Sequence, residues 1–121
     1  MPEATASHVF HITERKLFAA ALESGAYEAE SLLREGFIHC STRLQVPRTA
    51  ARFYAGRDGL VLLCIESERI AGLLRYEAAD GELFPHCYGP IPIAAIPAVI
   101  DFPCRADGSF ELPQELTLFP D

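Results

Sequence analysis

A chain of 121 residues, half of them apolar, can bury one hydrophobic core without metals or disulfides to staple it. Its 17 acidic and 10 basic residues leave a formal charge of −7, which disfavours a broad nucleic-acid surface, because such surfaces neutralise phosphates with Lys and Arg. No run approaches the roughly 18 apolar residues of a membrane span, and "MPEATASHVF" lacks the basic-then-apolar order of a secretory signal. A cytoplasmic protein with no membrane partner is expected, as one domain over residues 1–121, with a core from about 8 to 104 and a C-terminal extension over 105–121.

"SHVFHIT" alternates, with His8, Phe10 and Ile12 on one side and Val9 and His11 on the other, and so reads as a strand. Thr13 is a candidate N-cap for the helix "ERKLFAAALESG", whose apolar stripe is Leu17, Phe18, Ala21 and Leu22 and whose stop is Gly25. "YEAESLLREG" is a connection with one helical turn, "FIHC" a short strand, and "STRLQVPRTAARFYAG" a second helix with Pro47 in its first turn. Val46, Ala50, Phe53 and Tyr54 of that helix are placed inward. "GLVLLCIE" is a strand suited to burial on both faces, "SERIAG" a turn, and "LLRYE" another strand. Prolines interrupt the next thirty residues: "LFPHCYG" reads as irregular or edge strand, "PIAAI" as a helical turn and "AVIDFP" as a strand. The last stretch, "SFELPQELTLFPD", reads as an edge strand and a tail. The fold class is α+β, with a split, twisted mixed or antiparallel sheet and two N-terminal helices.

The chemistry centres on the histidines. The dipeptide His-Cys occurs twice, in "GFIHCST" and "LFPHCYGP", but neighbouring side chains on a strand point to opposite faces, so neither pair can readily share a zinc ion. No metal is expected. Cys40, Cys64, Cys87 and Cys104 lack CxxC spacing and read as reduced, buried thiols, and Cys40 points away from the imidazole that would activate it. His11 and His39 each end a strand and are followed by Ser or Thr, so on neighbouring strands they could wall a pocket, hydrogen-bonding a ribose hydroxyl or an amide, or titrating near neutral pH. Glu82, just before "LFPHCYG", is the leading acid, with Glu77 and Asp101 behind it. Arg48 and Arg52, four residues apart, share a helix face and could clamp phosphate, while Tyr88 could stack on a base.

The ordered set "VFHIT", "EGFIHCST", "VPRTAARFYAGRDGLVLLCIE", "LRYE" and "GELFPHCYGPI" resembles the small bacterial family known as domain of unknown function 952, over about residues 8–103. More distantly, "VFHIT" and "GFIHCST" resemble the paired strands of ADP-ribosyltransferases and tRNA 2′-phosphotransferases, which line a cleft for NAD or an ADP-ribosylated intermediate. That resemblance implies an ADP-ribosyltransferase-like fold and a small nucleotide-like ligand, NAD or similar. His11 would contact the ribose or nicotinamide with Thr13 beside it, and His39 and Ser41 would lie across the cleft. Ile12 stands where that superfamily has glycine, and Glu82 would serve as its catalytic glutamate. Taken together with the residues read above, the expected catalytic set is His39, Glu82 and His86, and the expected binding set is His11, Thr13, Ser41, Arg48, Arg52 and Tyr88. If the protein is an enzyme, the resemblance implies transfer or hydrolysis at the nicotinamide ribosyl bond. A non-catalytic binding or interaction module, and a small enzyme using histidine acid/base chemistry on another substrate, remain the alternatives.

Overall fold

The computed structural model describes residues 6–119. Strand β1 (His8–Glu14) leads into helix α1 (Arg15–Ser24), then strand β2 (Ala26–Tyr27), helix α2 (Glu30–Glu35) and strand β3 (Ile38–His39). Helix α3 (Val46–Phe53) comes after a 3-10 turn at Arg43–Gln45. The strands β4 (Leu60–Glu66), β5 (Leu74–Ala79), β6 (Glu82–Cys87), β7 (Ile91–Pro92) and β8 (Ala98–Asp101) complete the regular elements, with a last 3-10 turn at Gln114–Leu118. Every strand pair is antiparallel, so the protein is α+β with antiparallel sheets and few, short helices. No helix among the described residues is long and apolar enough to cross a membrane.

The strands form three sheets, in the orders β1–β4–β8, β3–β6–β5 and β2–β7. A single bridge stitches the two larger ones: Phe10 and Ser41 exchange backbone hydrogen bonds of 2.9 and 2.7 Å, which places β1 beside the chain leaving β3. Strand β4, read as buried on both faces, is buried from Leu60 through Ile65. One of its faces, with Phe10 and Ile12 of β1, packs against Val46 and Ala50 of α3 and against Phe102, Phe110 and Leu116. The other, with Val9, packs against Ile38, Cys40 and Cys87 of the second sheet and against Ala21, Tyr27 and Ile91. Each fully buried Leu or Ile contributes about 2 kcal/mol on area grounds, so this doubly covered strand is the centre of the fold.

Several expectations are corrected. There are three helices rather than two, because the connection closed by Gly36 holds the six residues of α2 and the "STRL" segment is not α-helical. Gly25 does stop α1, adopting a φ of 89° that only glycine takes without strain. Thr13 is not the cap: β1 continues to Glu14, and the Thr13 hydroxyl is engaged by Tyr27 instead. Of the α1 stripe, Ala21 is buried and Phe18 partly so, but Leu17 and Leu22 stay more than half exposed. Phe53 likewise turns outward, while Val46 and Ala50 face in as expected. "LFPHC" lies in the middle strand of its sheet rather than in an edge. Pro85 is tolerated there because its carbonyl, and hence its missing N–H, faces β3, where that strand is already ending and only the Cys40 N–H reaches back, at 3.0 Å. The C-terminal segment forms no strand; Pro113 leads into a 3-10 turn whose Leu116 is buried.

Candidate functional site

The residues singled out from the sequence fall into three separate constellations. The first is buried. His11, on the inward face of β1, has Nδ1 2.6 Å from the carbonyl oxygen of His39 and Nε2 2.9 Å from the Tyr27 hydroxyl, which in turn lies 2.9 Å from the Thr13 hydroxyl. A carbonyl can only accept, so His11 carries its proton on Nδ1; Nε2 then accepts from Tyr27, and Thr13 donates to the tyrosine oxygen. Burial pushes the His11 pKa down to about 4, against the raising effect of the His39 carbonyl, and burial lifts Tyr27 to about 12. Neutral His11 is thus a hydrogen-bonded tie between β1, β2 and β3. It meets the backbone of His39 and not its imidazole, so the two histidines do not converge. Tyr27 also lines a cleft of about 310 Å³ beside α1, with Leu17, Ala20, Ser24 and Glu28.

The second constellation lies at the α3 end. Glu82 takes both guanidinium nitrogens of Arg48 at 2.9 Å and the Gln45 amide at 3.0 Å. Those contacts, Gln45 first, hold the Glu82 carboxyl below the usual carboxylate range. Gln45 is fully employed: its amide also donates to the Leu83 carbonyl at 2.8 Å, replacing a ladder partner beyond the end of β3, and its oxygen accepts the Thr42 N–H at 2.9 Å. Arg52 pairs with Asp80 in the hairpin turn. Arg48 and Arg52 do share a face, but both clasp the β5–β6 hairpin onto α3. Ser41 is buried, its hydroxyl 3.2 Å from that of Thr49.

The third constellation gathers His39, His86 and Tyr88. The antiparallel register sets His39, His86 and Arg75 in one row across β3, β6 and β5, and alternation puts Phe37, Glu77 and Tyr88 on the same outer face. Phe37 stacks on His86 with ring centroids 4.2 Å apart, and His39 meets His86 edge-on at 5.4 Å. Glu77 Oε1 accepts from His86 Nδ1 at 2.7 Å and from the Tyr88 hydroxyl at 2.6 Å. The Tyr88 bond, then the His86 bond, keeps the Glu77 carboxyl below its ordinary value, and the Tyr88 bond in turn raises that phenol. The carboxylate therefore fixes His86 with its proton on Nδ1 and leaves Nε2 as the basic nitrogen, the orientation a general base needs. His86 is buried, whereas His39 is half exposed, with Nε2 3.1 Å from Glu35.

Arg75 completes this face. Of the ten Lys and Arg side chains, eight are ion-paired with carboxylates. Arg43 and Arg75 are in no such pair among the described residues; Arg75 lies over the Tyr88 ring at 5.3 Å, and its charge helps hold the Glu77 carboxyl down. Phe37, Glu77 and Arg75 carry much of the geometry, and Arg75 and Phe37 were not singled out in the sequence. The spacing Phe37/His39 and Phe84/His86/Tyr88, two residues apart throughout, is the signal that could have found the shared face.

Among the described residues no group of three or more His, Cys, Asp or Glu is placed to hold a metal ion. The four cysteines are free thiols; burial raises Cys40, and lifts Cys64 to about 12 and Cys87 to about 11, which removes them as nucleophiles.

Short antiparallel sheets joined at one bridge, with this histidine-bearing face, define a small α+β domain of a recurring kind. The chain belongs to the family described as "Protein of unknown function (DUF952)", whose model matches residues 12–99. It is similar to protein CC0527 from Caulobacter crescentus: the X-ray structure is 34% identical, with a TM-score of 0.84 over 91% of this chain and 98% of that one. The solution NMR structure of CC0527, also 34% identical, gives 0.79 over 93% and 98%. No curated protein matches the chain.

Proposed function

We propose that the protein binds a nucleotide-type ligand, NAD or an ADP-ribose-like molecule, on the outer face of β3–β6–β5, and that Glu77 rather than Glu82 is its working carboxylate. The observation that carries this reading is the Arg75 guanidinium, in no ion pair among the described residues although its charge reaches Glu77, beside the rings of Tyr88, His86 and Phe37. In an acidic chain whose other arginines are mostly spent on carboxylates, such a guanidinium next to stacked rings suits a phosphate joined to a base. The cleft beside Tyr27 suits it less, because Glu28 and Glu30 line it and no Lys or Arg does. The resemblance of the two histidine strands to ADP-ribosyltransferases supports the same ligand class.

The chemistry that fits is cleavage of the nicotinamide ribosyl bond. The C1′–N bond breaks with its electron pair going to nicotinamide, the ribosyl carbon becomes oxocarbenium-like, and water or an acceptor hydroxyl adds there while losing its proton. Glu77 would stabilise the cation, and His86 Nε2 or His39 would take the proton. Nicotinamide release from NAD, monitored by chromatography, tests this. Glu77→Gln is expected to lower the rate about 100-fold or more, and Glu82→Gln to leave it within a few-fold while lowering thermal stability. The reverse pattern would return the role to Glu82, and no release from wild-type protein would remove the enzymatic reading. The second reading, a non-catalytic binding module on the same face, is favoured by the locked state of His11 and Glu82, both of which the resemblance would have at the reacting bond. Binding of NAD without turnover is the result that selects it.

A further inference from the structure

A larger cleft, of about 550 Å³, opens between the His8–Glu66 end of the β1–β4 pair and β5 of the second sheet. Its walls include Glu66, Ser67, Glu68, Arg69, Leu74 and Tyr76. Leu74 and Tyr76 are two apart on β5 and present its inward face, giving the cleft an apolar, aromatic side. The opposite rim carries two carboxylates and one guanidinium. Glu66 is paired with Arg69 at 2.7 Å, whereas Glu68 has no cation partner among the described residues. Between them Ser67 is 4% exposed, its N–H bonded to the Ser7 carbonyl at 3.0 Å, and its hydroxyl is buried with no hydrogen-bond partner among the described residues. Buried hydroxyls are almost always satisfied, so one left without a partner on a cleft wall marks a place where a further polar group fits. Rotation about χ1 can carry the Ser67 oxygen toward the cleft its residue lines.

We propose that this cleft is a second binding site, for a small organic cation: a primary amine carried on an apolar or aromatic body. The ammonium would donate to Ser67 Oγ and to the Glu68 carboxylate, and its apolar body would cover Leu74 and the Tyr76 ring, where a cation–π contact adds to burial. This site is independent of the nucleotide face and takes a ligand of opposite charge.

Phenethylamine and its neutral analogue 2-phenylethanol, each titrated to about 20 mM into 15N-labelled protein, test the assignment. The amine is expected to shift the amides of residues 66–76 saturably, with the alcohol at least tenfold weaker. Ser67→Ala is expected to weaken amine binding at least tenfold while its Tm equals or exceeds that of wild type, because it removes an unsatisfied hydroxyl; a structural serine would lose stability instead. Glu68→Gln, an exposed change that leaves the fold alone, is expected to weaken it similarly. Absence of shifts, equal binding of amine and alcohol, or undiminished binding by Ser67→Ala would each overturn the proposal.

Discussion

Between pH 6.5 and pH 4 the protein is expected to lose about 3 kcal/mol of unfolding free energy through His11 alone. The folded state holds this imidazole neutral, with burial driving its pKa to about 4 from an ordinary value of 6.5. In the unfolded chain the same group takes up a proton as the pH falls below 6.5, so the unfolded state binds more protons throughout that window. Stability therefore rises with pH there: the His11 contribution is complete above 6.5 and is lost as the pH falls through 4. Urea denaturation at half-unit pH steps measures the slope. Carboxylates with lowered pKa values, Glu77 and Glu82 among them, slope the same way, so the informative quantity is the difference from His11→Gln. Glutamine can donate to the His39 carbonyl and accept from Tyr27 but does not titrate, and its curve is expected to be flatter by nearly the full amount. His11→Ala, which also opens a cavity and strips Tyr27 of a partner, is expected to cost about 2–4 kcal/mol at pH 7.5. Parallel wild-type and His11→Gln curves would show that His11 is not held neutral.

The second large effect concerns the arginines. Arg75→Ala is expected to weaken ADP-ribose binding about 10- to 100-fold, the worth of one charge-assisted contact to phosphate, and to change Tm little, because this exposed side chain is in no ion pair among the described residues and its longer-range attraction to Glu77 is screened by solvent. Arg48→Ala and Arg52→Ala should behave in the opposite way. Each removes an ion pair that holds the β5–β6 hairpin to α3, so they are expected to lower Tm and leave affinity within about twofold. Calorimetric titration and a melting curve on the three variants separate these outcomes. Loss of binding in Arg48→Ala with none in Arg75→Ala would place the phosphate on α3 instead.

Which parts of this architecture were legible in the sequence depends on how local their causes are. The double burial of "LVLLCIE" and the alternation of "HVFHI" are written in consecutive residues, and both strands stand where their patterns put them. The stop at Gly25 is equally local. What resisted reading was set by partners distant in the chain. The Thr13 hydroxyl looks like a cap until Tyr27, fourteen residues on, claims it. Pro85 looks like an edge residue until the early end of β3 makes its missing N–H harmless. The site shows the same division. His39, His86 and Tyr88 were visible as candidates, and they do share a face. Glu77 was visible only as an acid behind Glu82, and its bond to His86 was not, since it lies on another strand; Phe37 and Arg75 were not visible, and the register that aligns Arg75 with His86 depends on the Asp80–Gly81 turn. His11 and Glu82 stand out in the sequence as an imidazole and a carboxylate, yet in the structure each is bound up holding elements together.

One measurement bears most directly on the nucleotide face: a titration of ADP-ribose into 15N-labelled protein at low salt, tracking every assigned amide. The predicted result is saturable shifts concentrated at Phe37, His39, Arg75, Glu77, His86 and Tyr88, absent in Arg75→Ala. Shifts confined to the cleft beside Tyr27, or none at all, would contradict it.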